Sequence, residues 1–141
     1  MIVDTSAIIA ILFNEDDAEI YAKAITRADS WRISAATFVE TAIVVETQTK
    51  SNGGRPLDAF IRRAGIAVEP VTEEQAHIAR QAFIDFGKGR HPAGLTMGDC
   101  FSYALSKATR APLLFQGKGL HQDRLDRRPL GPEAEMDLNS R

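Results

Sequence analysis

The chain has 141 residues with 44% hydrophobic content, enough for one domain with a sizeable core and too little for two. Its single cysteine, Cys100, excludes an internal disulfide, and no apolar run approaches the ~20 residues of a membrane-spanning helix. A formal net charge of -2 and a 7% aromatic content exclude a globally basic nucleic-acid binder and a stacking platform for single-stranded bases. Any RNA contact must therefore come from a local basic patch or a bound cation. Asp4 interrupts the apolar start and no basic segment precedes it, so no signal peptide is expected and a cytoplasmic protein follows.

Met1-Ile2-Val3 reads as a short strand ending at Asp4, followed by a polar Thr5-Ser6 turn and an apolar helix from Ala7 to Phe13. An acidic break over Asn14 to Asp17 precedes a helix from Ala18 to Ala28, with Ile20, Tyr21, Ala24 and Ile25 at helical spacing. Trp31 to Ile33 is a second strand. Ser34 is placed to cap a helix running to about Thr49, with Phe38, Ala42, Val45 and Thr49 on one face. Ser51-Asn52-Gly53-Gly54 stops it, and Pro56 suits the first turn of the next helix through Leu57, Phe60 and Ile61. Ile66 to Val71 is a third strand. Thr72 and Gln75 form a capping-box pattern opening a helix through Ile78, Ala82 and Phe83. Gly87 to Gly94 is a glycine-rich basic loop, Thr96 with Asp99 opens a helix to about Thr109, and Pro112 to Phe115 is a fourth strand. Strands alternating with helices imply right-handed crossovers, and so an α/β/α sandwich with a mainly parallel sheet.

Three carboxylates sit where they can reach the carboxyl edge of such a sheet: Asp4 after the first strand, Glu40 early in its helix, and Asp99 at a late helix start. Acids flanked by Ile, Val and Phe are costly to bury unless something neutralises them, and a divalent cation does so. An all-oxygen ligand set suits Mg²⁺ or Mn²⁺, ions that serve phosphoryl hydrolysis. By position alone, an acid at a helix start is more often a cap or a macrodipole partner than a ligand, which applies to Glu40 and Asp99. Asp4 fits a turn-forming and a site role equally.

Four ordered stretches resemble the VapC toxins, PIN-domain ribonucleases of toxin–antitoxin pairs. They are Ile2-Val3-Asp4-Thr5-Ser6-Ala7, Phe38-Val39-Glu40-Thr41-Ala42, Gly87-Lys88-Gly89-Arg90-His91, and Gly98-Asp99-Cys100-Phe101-Ser102-Tyr103-Ala104-Leu105, with Pro112 to Gly117 concluding the match. The resemblance covers residues 1–117 and implies a PIN-like nuclease domain over that range. It implies Mg²⁺- or Mn²⁺-dependent endonucleolytic cleavage of RNA, by in-line attack of water leaving 5′-phosphate and 3′-hydroxyl ends. It also implies a homodimer and a VapB-like antitoxin partner. Asp4, Glu40 and Asp99 become the catalytic, metal-binding acids, with Thr5 and Ser6 as polar groups supporting them. Lys88, Arg90 and His91 become the local RNA-phosphate patch. Glu46 is a weaker candidate, because six residues turn it roughly 120° from Glu40 around a helix. His77 is expected at the surface or in packing, and Cys100 in the core.

The family follows its last strand with Gly-x-Asp-Phe and then Thr-Asp-Leu or Thr-Asp-Ile, the first Asp being a fourth site acid. Here Gly117-Lys118-Gly119-Leu120 lacks it, and Asp123 lies four residues too late. The tail from Lys118 to Arg141 has isolated leucines and no aromatic or β-branched residue, and it is expected to be poorly ordered. With suitable synonymous codons for residues 119–128, removing one G from the Gly119 codon yields Asp-Phe-Thr-Lys-Thr-Asp-Leu-Thr-Val. A frameshift after Lys118 thus accounts for the aberrant tail. It also supplies an alternative function, a catalytically weakened PIN fold that retains antitoxin or RNA binding. An aspartyl phosphatase with Asp4 as nucleophile is disfavoured, since no second Asp follows two residues later.

Overall fold

The structure, a computed structural model, describes residues 1–50 and 54–114. The expectations for Phe115 to Gly117 and for the tail from Lys118 to Arg141 lie outside the described residues. In chain order the elements are β1 (Ile2–Val3), α1 (Thr5–Leu12), α2 (Ala18–Arg27), β2 (Trp31–Ser34), α3 (Ala35–Thr49), α4 (Gly54–Arg63), β3 (Ile66–Glu69), α5 (Glu73–Phe86), α6 (Met97–Thr109) and β4 (Leu113–Leu114).

Among the described residues the strands form one parallel sheet in the order β3-β2-β1-β4, flanked by helices as the alternating pattern predicts. The chain steps outward from β1 through β2 to β3, then returns to place β4 on the other side of β1. That reversal is a topological switch point, where the loops after the strands part and leave a crevice at the carboxyl edge. Asp4 stands at this edge, with its N–H bonded to the Leu114 carbonyl at 3.0 Å.

The main core joins Val3, Ala7, Ile8, Tyr21, Trp31, Ile33, Leu57 and Leu114. Trp31 satisfies its indole N–H by donating to the Ile25 carbonyl at 2.7 Å, which ties β2 to the end of α2. Leu57 is buried from α4. A leucine buried to that degree contributes about 1.5–3 kcal/mol. A second cluster, with Ala79, Ala82, Phe86, Leu95, Cys100, Tyr103 and Ala104, packs α5 on α6.

Several local expectations change. No separate polar turn follows β1: α1 starts at Thr5 with Asp4 as its N-cap, accepting from the Ser6 N–H at 3.3 Å. Ser34 occupies the N-cap position of α3, yet its buried hydroxyl makes no cap bond and has no partner among the described residues. β3 ends at Glu69 instead of Val71, because Pro70 has no N–H to continue the ladder. On α3, Phe38, Ala42 and Val45 reach the core but Thr49 is exposed, and the most deeply buried side chains include Thr37 and Thr41. On α2 and α5, Ile20 and Phe83 lie at the surface, while Tyr21, Ile25, Ala79, Ala82 and Phe86 turn inward.

Candidate active site

Asp4 is 1% exposed, and both of its carboxylate oxygens are held. Oδ1 accepts from Ser102 Oγ at 2.5 Å, and Oδ2 accepts from the Ser6 hydroxyl at 3.0 Å as well as from the Ser6 N–H. Hydrogen bonds to a carboxylate of this kind are charge-assisted and fix its orientation.

Asp99 lies against Asp4 from the first turn of α6. It completes a capping box: Thr96 accepts from the Asp99 N–H at 3.4 Å, and Asp99 Oδ2 accepts from the Thr96 N–H at 2.8 Å. Burial, then the charge of Asp4 and a hydrogen bond between the two acids, push the Asp99 carboxyl up to about 7, against the opposing pull of its bonds to Thr96. Cap and site neighbour are therefore the same residue.

Glu40 reaches the same region from α3. Its Oε1 accepts from the Gly98 N–H at 3.2 Å and its Oε2 from Thr5 Oγ1 at 3.1 Å. The approach requires glycine: a Cβ at position 98 would overlap the Glu40 carboxylate. The three acids are thus neighbours, with Asp4 against Asp99 and Glu40 anchored beside them. Among the described residues no group of three or more Asp, Glu, His or Cys side chains closes on a single point as a cation's direct ligands would.

The hydroxyls linking these acids include several that the spacing analysis left without a role. Ser102 lies one turn after Asp99 on α6, and Thr37 and Thr41 are four residues apart on α3; all three are fully buried. Buried hydroxyls repeating at helical spacing were the available signal. Thr5 and Ser6, expected as supporting groups, contact Glu40 and Asp4 directly.

A sequence profile of the PIN domain matches residues 1–127. Ribonuclease VapC28 of Mycobacterium tuberculosis is 53% identical over 133 residues, spanning 91% of this chain and 100% of the relative. Ribonuclease VapC of Mycolicibacterium smegmatis is 48% identical over 118 residues, spanning 84% of this chain and 92% of the relative. The chain belongs to the VapC family of PIN-domain ribonucleases. The fold agrees with the crystal structure of Mycobacterium tuberculosis VapC20, a sarcin-ricin loop cleaving toxin. The TM-score is 0.66 at 14% identity, over 93% of this chain and 98% of that one.

In this VapC-family protein the basic loop runs from α5 to α6 and is closed by a bridge between Gly87 and Leu95. Leu95 directly precedes the Thr96 cap, so the loop leads straight to the Asp99 turn. Lys88 is exposed. Arg90 lies over the Phe83 ring at 5.9 Å, and His91 meets Phe86 edge-on while its Nδ1 accepts from the Ala93 N–H at 3.0 Å. Among the described residues no hydrogen bond or ion pair joins these three side chains to the acids. Glu46 is exposed, on the outward side of α3. His77 is an exposed partner of Glu73 at 3.6 Å. Cys100 is a core residue, and burial, followed by the charges of Asp99, Glu40 and Asp4, pushes its thiol up to about 12. A thiol so held is no nucleophile at neutral pH. No helix among the described residues is long and apolar enough to cross a membrane.

Proposed function

We infer that this ribonuclease is the toxin of a toxin–antitoxin pair and cleaves RNA endonucleolytically with Mg²⁺ or Mn²⁺, using Asp4, Glu40 and Asp99 as its metal-binding acids. The observation that carries the reading is the pairing of Asp4 with Asp99 at the sheet's switch point, inside a VapC-family chain. Two carboxyls pressed together in a buried crevice repel, and a divalent cation relieves both that repulsion and the desolvation cost. The donor set is entirely oxygen, which fits Mg²⁺ or Mn²⁺. Such ions keep several waters, so Asp4, Glu40 and Asp99 would hold one without all three having to be its direct ligands.

When bound, the cation supplies charge neutralisation at the scissile phosphate and a lowered pKa for attacking water. The protein's own part is geometric. Ser6 and Ser102 hold Asp4, Thr5 and the Gly98 N–H hold Glu40, and the Thr96 cap holds Asp99. Lys88, Arg90 and His91 are assigned to RNA phosphates, a role supported by the loop's connection to the Asp99 turn. A VapB-like antitoxin and a second copy of the chain are the proposed protein partners. Exposed Val39, Ile43 and Met97 supply apolar surface for such contacts.

The deciding experiment is digestion of a fluorescent RNA with Mn²⁺ or with chelator, for the natural chain and Asp4→Asn. Cleavage that needs Mn²⁺ and falls roughly a hundredfold or more in the variant is expected. Cleavage that survives both treatments sinks the assignment. A second reading is favoured by one observation, the Gly117-Lys118-Gly119-Leu120 sequence where the family carries its fourth acid. In that reading the chain binds antitoxin or RNA with weakened catalysis.

A further inference from the structure

Asp4 and Glu40 are joined through a relay of buried hydroxyls, in which four protons serve six contacts. Ser102 Oγ donates to Asp4 Oδ1 at 2.5 Å and lies 3.0 Å from Thr37 Oγ1, which is also 3.0 Å from the Gly98 carbonyl. One turn along α3, Thr41 Oγ1 is 2.8 Å from the Thr37 carbonyl and 2.9 Å from Thr5 Oγ1, which donates to Glu40 Oε2 at 3.1 Å. Each hydroxyl has one proton, and an ionised carboxylate only accepts. Ser102 spends its proton on Asp4, so the contact between Ser102 and Thr37 is bridged by the single Thr37 proton, which Thr37 shares between Ser102 Oγ and the Gly98 carbonyl. Likewise Thr5 spends its proton on Glu40, so the single Thr41 proton is shared between the Thr37 carbonyl and Thr5 Oγ1.

We propose that Ser102 and Thr37 are positioning residues, a directed hydroxyl pair that holds Asp4 Oδ1 in the orientation the cation and substrate require. The proposal rests on the reading of Asp4 as a metal-binding acid. Asp4 has Ser6 on Oδ2 and Ser102 on Oδ1, so loss of the Ser102 hydroxyl frees the carboxylate to turn further toward Asp99, which already lies against it. Thr37 acts one bond further out: without its hydroxyl the Gly98 carbonyl loses its donor, and Ser102, one turn along α6, can swing its own hydrogen there and away from Asp4. Asp4, Thr37 and Ser102 are sealed from solvent, so water cannot replace a missing hydroxyl at no cost. Partners of this type in metal sites typically govern affinity by about 10–100-fold.

The test compares Ser102→Ala, Thr37→Val and Thr37→Ser with the natural full-length chain and with Asp4→Asn. Mn²⁺ affinity is measured by titration calorimetry, kcat and KM on a short RNA, and folding by thermal melting. Ser102→Ala and Thr37→Val are expected to bind Mn²⁺ about 10-fold or more weakly and to lose kcat with KM little changed. Thr37→Ser, which keeps the proton, is expected to match the natural chain. If Asp4→Asn leaves Mn²⁺ binding intact, the metal-site reading itself fails. If Asp4→Asn abolishes binding while folded Ser102→Ala and Thr37→Val keep the natural affinity, only the positioning role is overturned. Should one of these two variants fail to fold, the other decides. If both unfold, the hydroxyls serve the fold and the proposal is overturned.

Discussion

At Asp99 one carboxyl caps α6 and also lies against Asp4, and the two duties pull its proton affinity in opposite directions. The cap favours the charged form, whereas burial and the neighbouring acid favour the neutral one, and the outcome is a carboxyl pushed up from 3.8 to about 7. The folded chain therefore holds a proton that the unfolded chain has released, between about pH 4 and about pH 7. Stability contributed at this site is intact below that window and falls as pH rises through it. Metal-free protein is expected to melt several degrees lower at about pH 7.5 than at about pH 5, and Asp99→Asn should flatten that slope. Mn²⁺ should raise the melting temperature more at the higher pH, where the second charge is present to be neutralised. A pH slope unchanged in Asp99→Asn would show that the titrating group lies elsewhere.

Helix α6 meets α3 through a glycine, and this contact separates stability from function. Gly98→Ala places a methyl group where the Glu40 carboxylate sits. The obstacle is the far end of a flexible side chain, and alanine favours helix over glycine by roughly 0.5–1 kcal/mol, so the melting temperature should change little. Glu40 must move, however, and nuclease activity is expected to fall about tenfold or more, as when a supporting group is lost from a metal site. The same substitution in a Glu40→Gln background should cost almost nothing further, which a double-mutant cycle checks. In the α5–α6 loop, Arg90→Ala is expected to weaken RNA binding and to lower the salt dependence of affinity by roughly 0.7 in log–log slope, one phosphate contact on a single strand. An unchanged slope would leave Arg90 as a packing partner of Phe83.

On the scale of the molecule, the return of the chain from β3 across to β4 gathers acids from positions 4, 40 and 99 at one edge of the sheet. The family's fourth acid would follow β4, where this sequence carries Gly119. Deleting one nucleotide at the Gly119 codon should supply it, and nuclease activity and toxicity on expression are both expected to rise. Equal activity before and after the deletion would remove the weakened-nuclease reading.

The sequence by itself determined the order of the elements and the position of Asp4. Apolar runs broken by Asp4 and the Gly87–Gly94 loop fix where strands and helices can lie, because backbone period acts locally. It also carried the motifs that mark the VapC family. Tertiary structure alone decided which hydroxyls gather around the acids. Thr37, Thr41 and Ser102 look like ordinary polar positions in helices, and only the packing of α3 and α6 against the β1 edge buries them and turns them toward Asp4 and Glu40. The need for glycine at 98 was equally hidden, since it arises from a side chain 58 residues away in the chain. Local propensity acts over a few residues; the orientation of a buried carboxylate depends on every group that packs around it.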